Sequence, residues 1–252
     1  MKGLYQIRIL ILVFLISLLS TSTYCLGDKG TLQTVDRLLN QGENQQALQL
    51  LQELPERTKG KLWRMSRLQY EMGQITEPES HRLDFFRRAE KYARAAIATD
   101  PDNSESYKWL AIALGAQAKY STTKVQIHQS REIKKNIEKA IELNPDDDIS
   151  YLVLSRWNYK ISMLGFFSRA IVKIVYGGLP KASFAEAERL LWKAIQLHDR
   201  VTHRYNLAKV YNRMDRRKDA VEQLRLALSL PVTFPEEVEE QSKAKRKLQK
   251  WQ

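Results

Sequence analysis

Alanines and large aliphatic residues recur at helical spacing in several segments of the chain, and each segment ends at Pro or Asp. The clearest segments are KYARAAIATDPDN, ending at Asn103, EKAIELNPDD, ending at Asp147, and WKAIQLHD, ending at Asp199. LRLALSLP, ending at Pro231, is a fainter copy. This spacing predicts amphipathic helices, because the apolar residues fall on one helical face and the Pro or Asp ends the helix. The chain is therefore predicted to be all-α and built from repeated units.

Each of these segments has the pattern of the second helix in a tetratricopeptide-type repeat. Such a unit buries its apolar faces only by stacking on its neighbours, so the units form a solenoid. Small residues allow the two helices of a unit to approach closely, which predicts burial of Ala96, Ala140, Ala194 and Ala227. The predicted fold is thus a tetratricopeptide-like solenoid of helical hairpins, with a short first unit as a cap and a last helix beginning at Pro235.

Three of the units are longer than the usual repeat. The extra residues lie at Gln74–Leu83, at Tyr120–Gln129 and at Lys160–Lys181. No Gly or Pro interrupts residues 121–143, so the second excess predicts a lengthened helix. The third excess carries its own apolar stripe between residues 163 and 176 and predicts an inserted helix. The sequence Gly177-Gly178-Leu179-Pro180 is expected to end it.

Residues 1–27 have the features of a signal peptide or membrane anchor, and residues 28–252 form the predicted repeat domain. Lys2 and Arg8 precede an apolar run, Ile9–Leu19, which is shorter than the roughly 20 residues that span a bilayer. A cleaved signal, an uncleaved anchor and a lipid anchor at Cys25 all remain open, although Tyr24 is unusual before a lipidated cysteine. A cleaved signal and an uncleaved anchor both place the repeat domain across the membrane, away from the cytoplasm. In a bacterium this location is the periplasm or cell envelope. In any other organism the protein is secreted or membrane-anchored.

We expect the native protein to begin between Tyr24 and Asp28, because small residues follow the short apolar run. The intact mass of the protein purified from its own organism tests this expectation. A membrane-bound species that retains Met1 to Leu19 would contradict cleavage.

The composition argues against several kinds of chemistry. Cys25 is the single cysteine, which excludes an intramolecular disulfide. The four histidines, His81, His128, His198 and His203, show no zinc-helix spacing, and no phosphate-loop or nucleophile-elbow motif occurs. We therefore expect no enzyme activity, metal or cofactor. The run Asp146-Asp147-Asp148 is interpreted as a helix start, and Glu237, Glu239 and Glu240 as a solvated helix start.

The best candidate site is the concave surface that first helices line in this repeat class. The net charge is +12, and a basic face attracts acidic peptides, anionic lipid or nucleic acid. Arg156 and Lys160 lie one helical turn apart, as do Lys209 and Arg213, which suits an acidic peptide. The interpretation of a merely solvated basic face stays open. The predicted groove residues are Lys108, Arg156, Tyr159, Lys160, Lys209, Asn212 and Arg213.

The inserted segment offers an alternative site for contact with a membrane surface. Phe166 and Phe167 share it with Arg169 and Lys173, so an apolar stripe has basic residues opposite it. The same stripe is also expected of a helix that packs on the repeats. Nucleic-acid binding is not favoured, because the basic residues are spread along helices with little aromatic interleaving.

The stretch from Ser106 to Asp148 resembles the regulator of microtubule dynamics family. The shared elements are the pair Lys108-Trp109, Lys124-Val125 at the start of a long helix, and the segment EKAIELNP ending at Pro145. The resemblance extends over about Leu62 to Leu230 and implies a helical repeat fold with an accessory helix and no known catalytic residues. It also implies a cytoskeletal role, whereas the signal-like N-terminus indicates an exported, possibly bacterial relative.

Three functions therefore remain open from the sequence. The first is a non-enzymatic scaffold that binds a protein or acidic peptide in its groove. The second is a membrane-associated, lipid-contacting protein. The third is a cytoskeletal regulator, which requires the body of the protein to face the cytoplasm.

Overall fold

The structure is a computed structural model that describes residues 28–164, 172–174 and 177–251. All regular secondary structure within these ranges is helical. The helices are α1 (28–41), α2 (Asn44–Glu53), α3 (Lys61–Ile75), α4 (Arg82–Thr99), α5 (Ser104–Gln117), α6 (Thr123–Leu143), α7 (Asp148–Ser162), α8 (Phe184–Leu197), α9 (Val201–Arg213), α10 (Arg217–Ser229) and α11 (Pro235–Trp251). Short 3₁₀ turns at Glu79–His81 and Ala118–Tyr120 join neighbouring helices.

Consecutive helices pair as hairpins, and the hairpins stack in chain order. Helix α3 packs on α4, α5 on α6, α7 on α8 and α9 on α10. The first helices also contact each other in sequence, α3 with α5, α5 with α7 and α7 with α9. Helix α11 packs on both α9 and α10, as the first helix of a further unit would. The predicted solenoid of helical hairpins is therefore confirmed.

The repeated alanines are buried where paired helices touch. Ala140, Ala194 and Ala227 have no exposed surface, and Ala96 is 5% exposed. Ala140 lies in the central apolar cluster with Ile137, Leu110 and Trp157, among others. Because these positions are filled to contact distance, they admit no larger side chain without displacement of a helix.

Two serines show how closely the hairpin helices approach. The buried hydroxyl of Ser66 in α3 donates to the carbonyl of Ala89 in α4 at 2.8 Å. Ser155 in α7 makes the same contact with the carbonyl of Ala187 in α8, at 2.9 Å. A larger side chain would separate the backbones, so these two positions need a small residue. Each serine hydroxyl is buried, and its hydrogen bond to the facing carbonyl avoids the cost of an unpaired polar group.

The structure accounts for the extra residues of the longer units. Helix α6 is 21 residues long and confirms the predicted lengthening, although it begins two residues later than expected. The predicted inserted helix falls mainly on residues 165–171 and 175–176, which lie outside the described ranges. After it, Gly177 and Gly178 adopt φ values of 73° and 87°, in the left-handed region that glycine favours. Ser183 then caps α8 by accepting the Glu186 N–H at 3.0 Å.

The two ends of the solenoid meet. Gly42, in the turn between α1 and α2, has φ 77°, and a Cβ there would lie 3.2 Å from Cγ of Pro235, the first residue of α11. The described superhelix therefore closes so that its last helix begins against its first hairpin. Since the first helices line the inner side, this closure encloses the candidate groove between α3 on one wall and α7, α9 and α11 on the other.

Candidate functional site

Helices α7 and α9 bring four predicted cations to one place, and we call Arg156, Lys160, Lys209 and Arg213 the basic groove. Arg156 donates from its guanidinium to Oγ1 of Thr202 at 3.1 Å. Asn206 links the two helices, because its Oδ1 accepts from Arg156 at 3.4 Å and from Nζ of Lys209 at 3.2 Å. The convergence of these cations agrees with the geometry expected from their spacing, while a role in binding stays a prediction.

Tyrosine rings form the floor beneath these cations. Nζ of Lys209 lies 5.1 Å from the ring centre of Tyr159 and 5.6 Å from that of Tyr205. The Tyr159 hydroxyl accepts from Nε of Arg213 at 3.4 Å, and the ring meets Phe184 edge-on at 5.7 Å. Tyr159 is thus held by packing and in turn positions Lys209 and Arg213.

The cations are close enough to disturb one another's protonation. Burial lowers the pKa of Lys209 to about 8, and repulsion from Arg156 adds to the effect. The pKa of Lys160 is also lowered, first by the dense surroundings of the concave side and then by Arg156, although the side chain itself is exposed. Desolvation is the larger cause of both lowered pKa values, and the repulsion from Arg156 is the part that a bound anion would relieve.

The acidic group closest to the cations comes from α11. Oε1 of Glu240 accepts from Nη2 of Arg156 at 2.7 Å, and the Glu240 side chain is 14% exposed. Glu237 is 2% exposed and accepts from the backbone N–H of Thr233 at 2.8 Å and of Thr202 at 3.4 Å. The predicted solvated helix start is therefore wrong for Glu237 and Glu240, because both are used in tertiary contacts; Glu239 is exposed as expected.

Two of the predicted groove residues make other contacts. Lys108 is buried and pairs with Glu105 at 2.6 Å and Asp147 at 3.1 Å. Burial alone would lower the pKa of Lys108, but the two carboxylates hold it above its ordinary value. The structure does not bring Lys108 to the groove surface, because its charge is already neutralised inside the fold. Asn212 lies in the last turn of α9, where its Oδ1 accepts from Arg217 at 3.1 Å.

The sequence prediction missed three residues of this wall, Tyr205, Glu240 and Lys247. Burial lowers the pKa of Lys247, and the cations of Lys250 and Arg213 lower it further, which places Lys247 beside the basic groove. Because α11 was predicted only as a last helix, Glu240 and Lys247 were not assigned to the groove. Glu240 and Lys247 are seven residues apart and so lie on one face of α11, and that spacing was the available signal. Tyr205 lies one turn before Lys209, and that spacing was its available signal.

The opposite wall, on α3, carries a buried carboxyl group. Glu71 is 8% exposed and accepts from Nε of Arg67 at 2.6 Å. Burial raises the pKa of Glu71 to about 7, because the pairing with Arg67 offsets only part of the desolvation. The negative charge of Glu236 on α11 raises it further. Burial also raises the pKa of neighbouring Tyr70.

Of the four predicted membrane-contact residues, Lys173 falls within the described ranges. Phe166, Phe167 and Arg169 lie outside the described residues, and Lys173 is exposed beside Ile174, which is 84% exposed. Among the described residues, no helix combines the length and apolar character that crossing a membrane requires. Within the same ranges, no cluster of three or more His, Cys, Asp or Glu side chains is arranged to hold a metal ion.

The Asp146-Asp147-Asp148 run has a structural use. Asp147 occupies the N-cap position of α7, but its carboxylate accepts from the Ser150 hydroxyl and from Lys108 rather than from a backbone N–H. Asp148 is buried and accepts from Nε2 of His203 at 2.8 Å and Nε of Arg200 at 2.6 Å. Asp147 therefore joins α7 to α5, and Asp148 joins α7 to the α9 hairpin.

Comparison with solved structures supports the fold. The crystal structure of TTC0263, a thermophilic TPR protein of Thermus thermophilus, superposes with a TM-score of 0.62. The match covers 88% of this chain and 99% of that one at 18% sequence identity. At that identity the likeness shows the tetratricopeptide-type fold alone.

Comparison with sequences identifies the family. Regulator of microtubule dynamics protein 1 of Mus musculus is 29% identical over 84% of this chain and 71% of its own length. Regulator of microtubule dynamics protein 3 of Xenopus laevis is 32% identical over 71% of this chain, which spans 39% of that longer protein. The family model for regulator of microtubule dynamics protein 1-3 matches residues 31–252. The chain belongs to the regulator of microtubule dynamics protein 1-3 family.

Proposed function

We propose that this protein is a non-enzymatic scaffold whose basic groove binds an acidic segment of a partner protein. The observation that carries the proposal is the convergence of Arg156, Lys160, Lys209 and Arg213 on one concave wall. Of the two lysines, Lys209 has a pKa of about 8 and Lys160 a pKa below its ordinary value. Carboxylates of a ligand would relieve the repulsion among these cations. The tyrosine rings beside Lys209 supply an apolar surface for the backbone of the ligand.

Reversal of charge at Lys160 and Lys209 tests the groove. The double variant Lys160→Glu with Lys209→Glu is expected to weaken binding of a fluorescein-labelled oligoglutamate peptide by at least about tenfold, because like charges then face the ligand. Fluorescence anisotropy measures the affinity, which should also fall as salt rises, since exposed charges are screened over about 10 Å at 0.1 M.

The matched control reverses two lysines on second helices. Lys91 in α4 and Lys135 in α6 are exposed, and their double reversal to Glu changes the net charge by the same amount. If the peptide binds both double variants with equal affinity, binding follows net charge and the groove proposal fails. Circular dichroism of each variant establishes that the fold is retained.

The pKa of Lys209 gives the same proposal a pH dependence. Because the pKa is lowered to about 8, Lys209 is mostly charged at pH 7 and mostly neutral at pH 9. Affinity for the acidic peptide is therefore expected to fall across this interval. The Lys209→Arg variant keeps its charge and should show a flatter profile. An equally steep profile in Lys209→Arg would assign the pH dependence to another group.

Regulation of microtubules is the second candidate, and membership of a family named for that role favours it. The same groove variants decide whether it uses the basic groove: co-sedimentation with microtubules should be lost in the Lys160→Glu, Lys209→Glu protein and kept in the Lys91, Lys135 control. This candidate requires the domain to face the cytoplasm. The exported location proposed from residues 1–27 excludes it, so a cleaved N-terminus in the mass measurement would rule this candidate out.

A further inference from the structure

The last helix is held to the solenoid largely by polar contacts. Over its described length α11 buries only Glu237 and Ala244, with Leu248 and Trp251 partly buried near its end. By contrast, α8 buries five apolar residues, Ala187, Leu190, Leu191, Ala194 and Ile195. Since apolar burial supplies most of the stability of a docked helix, the first half of α11 is the more weakly held part of the closed superhelix.

That first half is acidic and lies at the end of the basic groove. Pro235 to Glu240 contains four glutamates, and Glu240 gives one carboxylate oxygen to Arg156 at 2.7 Å. The other oxygen, Oε2, is buried and has no hydrogen-bond partner among the residues that the structure describes. A carboxylate that is removed from water but only half satisfied costs free energy, so its pairing with Arg156 is weaker than the distance alone suggests.

We propose that the acidic start of α11 is a built-in competitor for the basic groove. In the closed form Glu240 pairs with Arg156 and neutralises its charge. An acidic ligand can contact all four cations of the basic groove only after it displaces Glu240 from Arg156. The inference rests on the proposed function, because it names how binding at the same site is regulated. A ligand carboxylate can engage the Arg156 guanidinium through two parallel hydrogen bonds, which the single contact from Glu240 does not supply.

The test compares two neighbouring glutamates. Glu240→Gln removes the competing charge at Arg156 but keeps the size of the side chain. Glu239→Gln makes the same change one residue earlier, where the side chain is 72% exposed and pairs with Lys243. The Glu240→Gln protein is expected to bind the oligoglutamate peptide about three- to tenfold more tightly than the wild type, and the Glu239→Gln protein to match the wild type within about twofold.

The outcomes separate the inference from the proposed function. Equal affinity of the wild type and both variants leaves the groove as a binding site and overturns the competition. Failure of all three proteins to bind overturns the proposed function and the inference with it. Equal tightening in both variants overturns the competition as well, because net charge alone would then explain the gain.

A second background shows whether Arg156 carries the effect. In proteins that already carry Arg156→Gln, the further change Glu240→Gln should leave the affinity unchanged within about twofold, since the competed cation is gone. A gain as large as in the wild-type background would overturn competition at Arg156. Thermal unfolding of all the variants is measured alongside, and a change in stability without a change in affinity likewise overturns the inference.

Discussion

Replacement of Asp148 by Asn is expected to lower the free energy of unfolding by about 3–5 kcal/mol, the usual cost of breaking a buried ion pair from one side. Asp148 is 7% exposed as a side chain, His203 is fully buried and Arg200 is 17% exposed. The carboxylate accepts from both of them and so joins the start of α7 to α9. An amide at this position leaves the Arg200 charge without its counter-ion inside the protein.

The pH dependence of this effect has a defined sign. Burial alone would raise the pKa of Asp148, but hydrogen bonds from His203 and Arg200 hold it well below its ordinary value of 3.8. The ionised group therefore contributes its full stability above pH 3.8, and this contribution is lost as the pH falls through the folded-state pKa. The difference in the free energy of unfolding between the wild type and Asp148→Asn should therefore have its full size at neutral pH and shrink only in strong acid.

Urea unfolding at several pH values measures the difference. Asp146→Asn is the matched control, because Asp146 belongs to the same acidic run but is exposed. The control is expected to stay within about 0.5 kcal/mol of the wild type. Equal effects of the two substitutions would show that the buried contacts of Asp148 contribute nothing beyond charge at a helix start.

Enlargement of Ala140 to Phe is expected to cost about 1–3 kcal/mol or more, because the new ring must displace atoms that already fill the site. Ala140 has no exposed surface and lies among the apolar residues of α5, α6 and α7. Ala98→Phe on α4 is the control, since Ala98 is an exposed helical position. Thermal unfolding compares the two. An unchanged melting temperature for Ala140→Phe would contradict the assigned repeat phase.

The properties of the groove follow from its position on the inner side of a closed superhelix. Lys160 is exposed, yet the protein that surrounds the concavity lowers its pKa, and burial lowers the pKa of the partly buried Lys209 to about 8. The same enclosure raises the pKa of Glu71 on the facing wall to about 7. Charges on both walls therefore titrate near neutral pH, and ligand binding there is expected to depend on pH as well as on salt.

Much of the fold was determined by the local sequence. Alanines at Ala140, Ala194 and Ala227 repeat with helical spacing, and only close helix packing gives that alternation of small and large residues a physical use. Lengthening of α6 followed from the absence of Gly and Pro over residues 121–143. The phase of the first helices likewise predicted which cations face inward on α7 and α9. These features depend on neighbours in the sequence or in the adjacent helix, so a repeat pattern is sufficient to predict them.

The remaining features depend on residues that the pattern does not relate. The repeat phase placed Lys108 on the concave surface, but Glu105 and Asp147 bury and neutralise it. The contact between Gly42 and Pro235, and the pairing of Arg156 with Glu240, join units that are far apart in the chain. A repeat sequence determines the packing of each unit on the next one, whereas small rotations between units accumulate and decide which distant surfaces meet. Only the tertiary structure therefore shows that the last helix closes the groove and supplies its acidic residue.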